Sequence, residues 1–110
     1  MKGTVKSKAE MERLFSEGRR SSSSVLSVIA APANESNGRV AFIAGKKLGV
    51  APLRSRCKRV MRATARELGM PWQDFDVVFI ARRRVATADH SKVLKDMKMC
   101  LEQAGVDIHV

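Results

Sequence analysis

The segment RSRCKRVMRATAREL, residues 54–68, places six basic residues in thirteen positions before its first acid, Glu67. Long blocks of like charge repel and disorder a chain, but this one is interleaved with Cys57, Val60, Met61 and Leu68. On a helical wheel at about 100° per residue, with Cys57 as origin, Val60, Met61, Thr64 and Leu68 fall within roughly 60°. Arg56, Lys58, Arg59, Arg62 and Arg66 fall between about 100° and 260°, on the opposite side. Arg54 lies near the apolar edge, at the end where it can point out along the preceding loop. The segment is therefore a helix with one face to bury and one to expose. Its exposed face is not an ordinary solvated one, because such faces mix signs so that i, i+4 pairs form. Arg54, Lys58, Arg62 and Arg66 are like-charged at that spacing, and each such pair costs a few tenths of a kcal/mol in an isolated helix. A polyanion bound to this face would remove the repulsion.

The whole chain shares the bias. Its 110 residues hold 21 Lys and Arg against 11 Asp and Glu, a formal charge of +10 and a pI near 10.5. The length suits one domain spanning 1–110. The charge calls for a polyanionic partner, nucleic acid first and an anionic membrane second. No apolar run approaches the roughly 20 residues that span a bilayer, and the N-terminus MKGTVKSKAEMERLF lacks the apolar stretch of a signal peptide. A cytoplasmic protein is expected. Cys57 and Cys100 stand 43 residues apart, each on the apolar side of a candidate helix, and are expected to be reduced packing residues. No Cys and His cluster at zinc-ligand spacing exists.

Ser7-Lys8-Ala9-Glu10 fits a capping box; Met11, Leu14 and Phe15 then line one face, and Gly18 is a natural stop, so a helix is expected over about 8–17. Val25–Ala31 suits a strand. Turn chemistry in Asn34–Gly38 then leads into a second strand, Arg39–Ala44, expected to be its hairpin partner. After GKKLGVAPL and the basic helix, which Gly69-Met70-Pro71 ends, comes DVVFIA. Its unbroken apolar residues predict a central strand covered on both faces. Thr87 or Asp89 can cap a last helix with Val93, Leu94, Met97, Cys100, Leu101 and Ala104 inward, ending at Gly105. The tail VDIHV is left as a short edge strand or a frayed end. The reading is α/β, one small sheet with helices packed on it in the order α-β-β-α-β-α.

Side-chain catalysis is poorly supported. His90 beside Asp89 fits a helix start, His109 lies in the tail, no paired acids suggest two-metal hydrolysis, and Ser21–Ser24 have no base or oxyanion loop. Trp72, after Pro71, reads as a core plug rather than a base-stacking platform.

The order of motifs resembles a known family. AGKKLGVAPLRSRCKRVMRATARE is similar to the signature of bacterial ribonuclease P proteins, roughly S-K-K-x-G-N-A-V-x-R-N-R-x-K-R-x-x-R-E. Val5–Gly18 resembles that family's opening L-K-x-x-x-D-F-x-x-V-F-x-x-G, and FDVVFIARRRVA resembles its D-Y-V-x-I-A-R-x-x-A strand. The resemblance implies a four-stranded sheet with a left-handed β-α-β crossover, against the general right-handed preference. It implies the protein subunit of a ribonucleoprotein endonuclease that removes the 5′ leader of precursor tRNA. In that enzyme the RNA subunit carries the phosphodiester hydrolysis with Mg²⁺, bound mainly by RNA and substrate. The implied partners are the RNA subunit and the precursor-tRNA leader, with no membrane and no obligate protein partner.

Carried over by position, Lys46, Lys47, Arg54, Arg56, Lys58, Arg59 and Arg62 match the RNA-contacting loop and helix, and Arg66 shares their face. Phe15 and Arg82 match residues of the family's leader-binding cleft. Met11 and Ile29 stand at two further cleft positions, where the family has Phe and often Tyr. Base–aromatic stacking is worth roughly 1–3 kcal/mol per base, so this cleft is expected to rely more on apolar and cationic contact. Ser55 and Val50 replace two family asparagines, and no protein metal ligand is assigned. The alternative readings are a general RNA-binding or ribosome-associated protein and, more distantly, a DNA-binding or anionic-membrane module.

Overall fold

The computed structural model describes residues 8–34 and 38–108. The chain runs through helix α1 (Lys8–Glu17), strands β1 (Arg19–Ser22), β2 (Leu26–Pro32) and β3 (Val40–Ile43), helix α2 (Ala51–Glu67), strand β4 (Phe75–Ala81) and helix α3 (His90–Gln103). Short 3₁₀ turns at Lys46–Leu48 and Arg83–Ala86 precede α2 and follow β4. One sheet forms in the order β1-β2-β4-β3. β1 and β4 each pair antiparallel with β2, and β3 pairs parallel with β4, with α2 as the crossover.

β4 is central, as its composition predicts. Val77, Val78 and Phe79 have no exposed surface, so the strand needs a neighbour on each side and a layer on each face. That need corrects the expected hairpin: β2 and β3 do not pair, because β4 lies between them. β1 has no counterpart in the sequence reading. Its RRSS carries no apolar residue and buries only Ser21, so neither hydrophobic alternation nor β-propensity marks it as a strand.

Alternation divides the sheet residues between two faces. Val28, Ala30, Val40, Val77 and Phe79 meet α2 and α3 through Cys57, Met61, Val93, Met97, Cys100 and Leu101. Ile29, Ala31, Ala41 and Val78 meet α1, which contributes Leu14. Each large side chain fully buried in these clusters contributes about 1.5–3 kcal/mol relative to exposure. Trp72 is the expected plug, 9% exposed and 6.0 Å from the Phe79 ring centroid.

Helix ends follow local chemistry. α2 closes with a Schellman motif: Met70 N–H donates to Ala65 C=O and Gly69 N–H to Arg66 C=O, with Gly69 at φ +100°. α3 closes the same way at Gly105, after which Val106 turns into the core, and Val106–Ile108 join no strand ladder. Asp89 is the N-cap residue of α3 but makes no side-chain cap bond, while the Thr87 hydroxyl donates to Arg84 C=O instead. Ser7 of the capping box and His109 lie outside the described residues, as does part of the Asn34–Gly38 turn. Gly18 serves close approach rather than an unusual φ, because a Cβ there would stand 2.5 Å from Ile29 Cγ2.

Candidate nucleic-acid interface

The apolar stripe of α2 lies where the wheel puts it: Cys57, Met61, Thr64 and Leu68 are buried and Val60 is half-buried. Ala65 joins them. Lys46 and Lys47, in the turn that delivers the chain into α2, are exposed together with Arg56, Lys58, Arg59, Arg62 and Arg66. From Lys46 to Arg66 there is no acid, so the surface presents a single sign of charge.

The cations of this surface are not equivalent. Arg56 Nε donates to Ala86 C=O at 3.1 Å, tying α2 to the 3₁₀ turn after β4. The Arg62 guanidinium lies 5.3 Å from the centroid of Phe42, which stacks at 5.3 Å on Phe79. Arg54 is half-buried, its Nε enclosed; it does not stand free along the loop. Lys46, Lys47, Lys58, Arg59 and Arg66 make no hydrogen bond or ion pair with described residues, so their full donor capacity faces outward. Two neighbouring positions also differ from one another. Ser55 is exposed on the helix, and Val50, 70% exposed, is the α2 N-cap without a side-chain cap bond.

The second site lies on the opposite face of the sheet. The register lines up Ser22, Ser27, Ile80 and Ile43 in one row across four strands, next to the row Arg20, Ile29, Val78 and Ala41. α1 covers Ile29, Val78 and Ala41 of the second row and leaves Arg20 exposed. Helical geometry places Met11 and Phe15 on the flank of α1 opposite Glu10, Arg13 and Glu17. Because Glu10 and Arg13 reach Arg39 and Asp76 at one end of the sheet, Met11 and Phe15 are turned toward the other end, where Met11 packs on the cluster that Ile43 and Ile80 also join. There Ile43 and Ile80 are only partly buried, and the Ser22 and Ser27 hydroxyls bond each other at 2.8 Å. Phe15 is 47% exposed. Arg82, one alternation beyond Ile80, is exposed past the end of β4. The result is a candidate cleft flanked by Met11 and Phe15, with partly buried Ile43 and Ile80 and exposed Ser22 along its floor and cations at its margin.

Ile29 does not line this cleft. It is 1% exposed beneath α1, packed in the cluster of Leu14 and Val78, so the structure places it under the helix as a support; Ser27, 2% exposed, is also buried, and the accessible residues of the neighbouring row are Ser22, Ile80 and Ile43. Arg20, Ser22, Ser27, Ile43 and Ile80 were not singled out from sequence. Their only signal is the strand register, which depends on the unforeseen β1.

A buried charge cluster holds α1 in place. Asp76, 0% exposed, accepts from Arg13 Nη2 at 2.6 Å and from the Arg39 backbone N–H at 3.0 Å. Arg39 Nη2 lies 3.6 Å from the same carboxylate, and its Nη1 lies 2.6 Å from Glu10. Elsewhere, burial raises the thiol pKa of Cys57 and of Cys100; Ser21 hydrogen bonding partly offsets the shift at Cys100. Both thiols are free. His90 opens α3 and lies 2.9 Å from Glu67 at the end of α2, a bridge between helices. No described helix is long and apolar enough to cross a membrane.

Known proteins share both the sequence pattern and the architecture. The Ribonuclease P family pattern matches residues 2–105. The chain is 30% identical over 106 residues to the ribonuclease P protein component of Syntrophomonas wolfei, covering 96% of this chain and 89% of that protein. It is 34% identical over 100 residues to that of Streptococcus mutans, covering 91% and 84%. The solved RNase P protein of Staphylococcus aureus superposes with a TM-score of 0.81 at 21% identity over 96% of this chain and 98% of that one. That of Thermotoga maritima gives 0.77 at 21% identity over 91% and 96%. With a matching pattern over nearly its whole length and relatives at 30% and 34% identity, the chain belongs to the ribonuclease P protein family, the protein component of the endoribonuclease that processes tRNA 5′ ends.

Proposed function

We propose that the two sites divide the work of this component: the outer face of α2 docks the RNA subunit, and the α1 cleft takes the single-stranded 5′ leader of precursor tRNA. The observation that carries the reading is their placement on opposite faces of one sheet. A single protein then grips two RNA segments at once without competition between them. Lys46, Lys47, Lys58, Arg59 and Arg66 neutralise backbone phosphates, and the counterions released make this docking salt-dependent. Arg56 and Arg62 spend part of their donor and cation–π capacity on Ala86 and Phe42, and keep α2 at its angle on the sheet.

In the cleft, an unpaired base lies against Phe15 while Arg82 and Arg20 attract its phosphates. Half-buried Ile43 and Ile80 offer apolar floor, and Ser22 offers a hydroxyl to sugar or base edges. The α2 face does not fit a Mg²⁺ ion, since it is cationic and carries no carboxylate from Lys46 to Arg66; hard cations take oxygen ligands. In this reading Mg²⁺ is held mainly by the RNA subunit and substrate, and the protein assists by lowering phosphate repulsion around them. The setting is the bacterial cytoplasm.

Reconstitution tests this. Added to a cognate RNA subunit, the protein should lower the Mg²⁺ concentration needed for leader removal. Phe15→Ala should weaken precursor tRNA by about 1–3 kcal/mol and leave mature tRNA unchanged. No shift in Mg²⁺ dependence, or equal losses on both tRNAs, defeats the reading.

A further inference from the structure

We infer that Asp76 is a positioning residue for the leader cleft, acting through Arg13 to fix how far the Phe15 flank of α1 stands above the row Ser22, Ser27, Ile80 and Ile43. The inference rests on the cleft reading above and adds residues that touch no RNA.

α1 has weak apolar means of holding its place. It is 10 residues long and has one buried residue, Leu14, and isolated helices of that length are marginal. Leu14, with partly buried Met11 packed beside it, provides a pivot, but two apolar contacts on one side constrain rotation about the helix axis only loosely. The second fixed point is Arg13, adjacent to Leu14 and turned to the far side, where its guanidinium meets Asp76 at 2.6 Å and reaches Pro32 C=O. The Asp76 side chain is 1% exposed, and those of Arg13 and Arg39 are 17% and 13% exposed. A carboxylate buried to that degree requires its partners, and here they come from two places far apart in the chain: Arg13 on α1 and Arg39 where the chain enters β3. Arg39 then extends the chain of charges to Glu10, one turn earlier on α1.

Arg13 and Phe15 lie about 160° apart around the axis. Rotation that let Arg13 leave Asp76 would therefore swing Phe15 toward or away from the sheet. That angle therefore sets the gap between the Phe15 flank and the row of Ile80 and Ile43. The clamp is remote from α2, which sits on the other face, so its loss should affect the leader and spare the RNA subunit.

The test is a comparison within the holoenzyme, assembled with its RNA subunit. Arg13→Met keeps the aliphatic stem and removes the charge; Arg13→Lys keeps the charge; Asp76→Asn keeps an acceptor for the Arg39 N–H. Affinity is measured for precursor tRNA, for mature tRNA and for the RNA subunit alone, with Phe15→Ala in parallel. Arg13→Met should lower the precursor-to-mature affinity ratio by roughly two- to thirtyfold, the range for residues that modulate a site without touching its ligand. Arg13→Lys should recover most of that loss, and RNA-subunit affinity should not change. Asp76→Asn should follow Arg13→Met; if it does not fold, Arg13→Met decides alone. A ratio lowered by Phe15→Ala but unmoved by Arg13→Met overturns the positioning role and leaves the cleft standing. A ratio unmoved by both overturns cleft and clamp together. Equal losses on precursor, mature tRNA and RNA subunit mark Arg13 as merely structural and overturn it too.

Discussion

On one side of the sheet, α2 and α3 press Cys57, Met61, Met97 and Leu101 against Val28, Val77 and Phe79; on the other, one short helix buries Leu14 and relies on a charge cluster around Asp76. The first face is held by apolar area, which is non-directional and tolerant of small shifts. The second is held by an ion pair, which fixes an angle. A site that docks a large RNA needs a rigid platform, and α2 provides one because its apolar stripe is fully engaged. A cleft for a single strand needs open floor, and α1 leaves the Ile43 and Ile80 end uncovered. Stability is concentrated on one face, and the cleft depends on the other.

The largest expected effect tests that asymmetry in stability. Phe79→Ala should cost about 3–5 kcal/mol, since the ring is fully buried and flanked by Phe42 and Trp72. Leu14→Ala should fall near the low end of its class, about 2–3 kcal/mol, because a short helix at the rim can settle into the space. Urea midpoints of the two variants check the order. If Leu14→Ala matches or exceeds Phe79→Ala, the α1 face is as important to folding as the α2 face, and the comparison breaks.

The second prediction separates cations on the α2 face by what they already touch. Lys58→Ala and Arg59→Ala should each flatten the log K against log salt slope for RNA-subunit binding by roughly one, with no change in melting. Arg62→Ala should also lower stability, by about 0.5–1 kcal/mol, through loss of its contact over Phe42. Melting curves beside salt titrations distinguish them. If all three variants behave alike, the contact over Phe42 contributes nothing to stability.

What the sequence disclosed follows the same division. The α2 face was legible because helical periodicity records burial directly: Cys57, Met61 and Leu68 repeat at helix spacing, with arginines opposite. β4 was legible because strands covered on both faces cannot alternate. The α1 face was only half legible. Met11 and Phe15 appeared on one flank of a helix, but what lies beneath them depends on strand order, and order is a non-local property. Taking β2 and β3 as a hairpin hides that β4 lies between them, which is what lines up Ser27, Ile80 and Ile43. β1 escaped because an edge strand with Arg19, Arg20 and Ser22 exposed owes its pairing to backbone bonds with β2 rather than to apolar side chains. Asp76 read as the polar start of a strand; only the fold shows that Arg13 and Arg39 converge on it from 63 and 37 residues away. That Ile29 lies buried beneath α1 was hidden for the same reason, since strand register decides which β2 residues the helix covers.

The smallest effect concerns the entry to α2. Val50 is the N-cap, in extended conformation at φ −70° and ψ 160°, with no side chain able to meet the first free N–H groups. Pro52 in the first turn removes one donor that would otherwise need a partner, and Val50 N-cap substitution by Asn would satisfy another. Val50→Asn should therefore raise stability by about 0.5–1 kcal/mol, read as a higher urea midpoint with an unchanged slope. The same variant sharpens the comparison between faces. Because α2 is already fixed by its buried stripe, the cap should add stability without altering the precursor-to-mature ratio, which the proposed function assigns to the α1 cleft. A changed ratio would mean that the two faces are coupled through β4 and do not work independently.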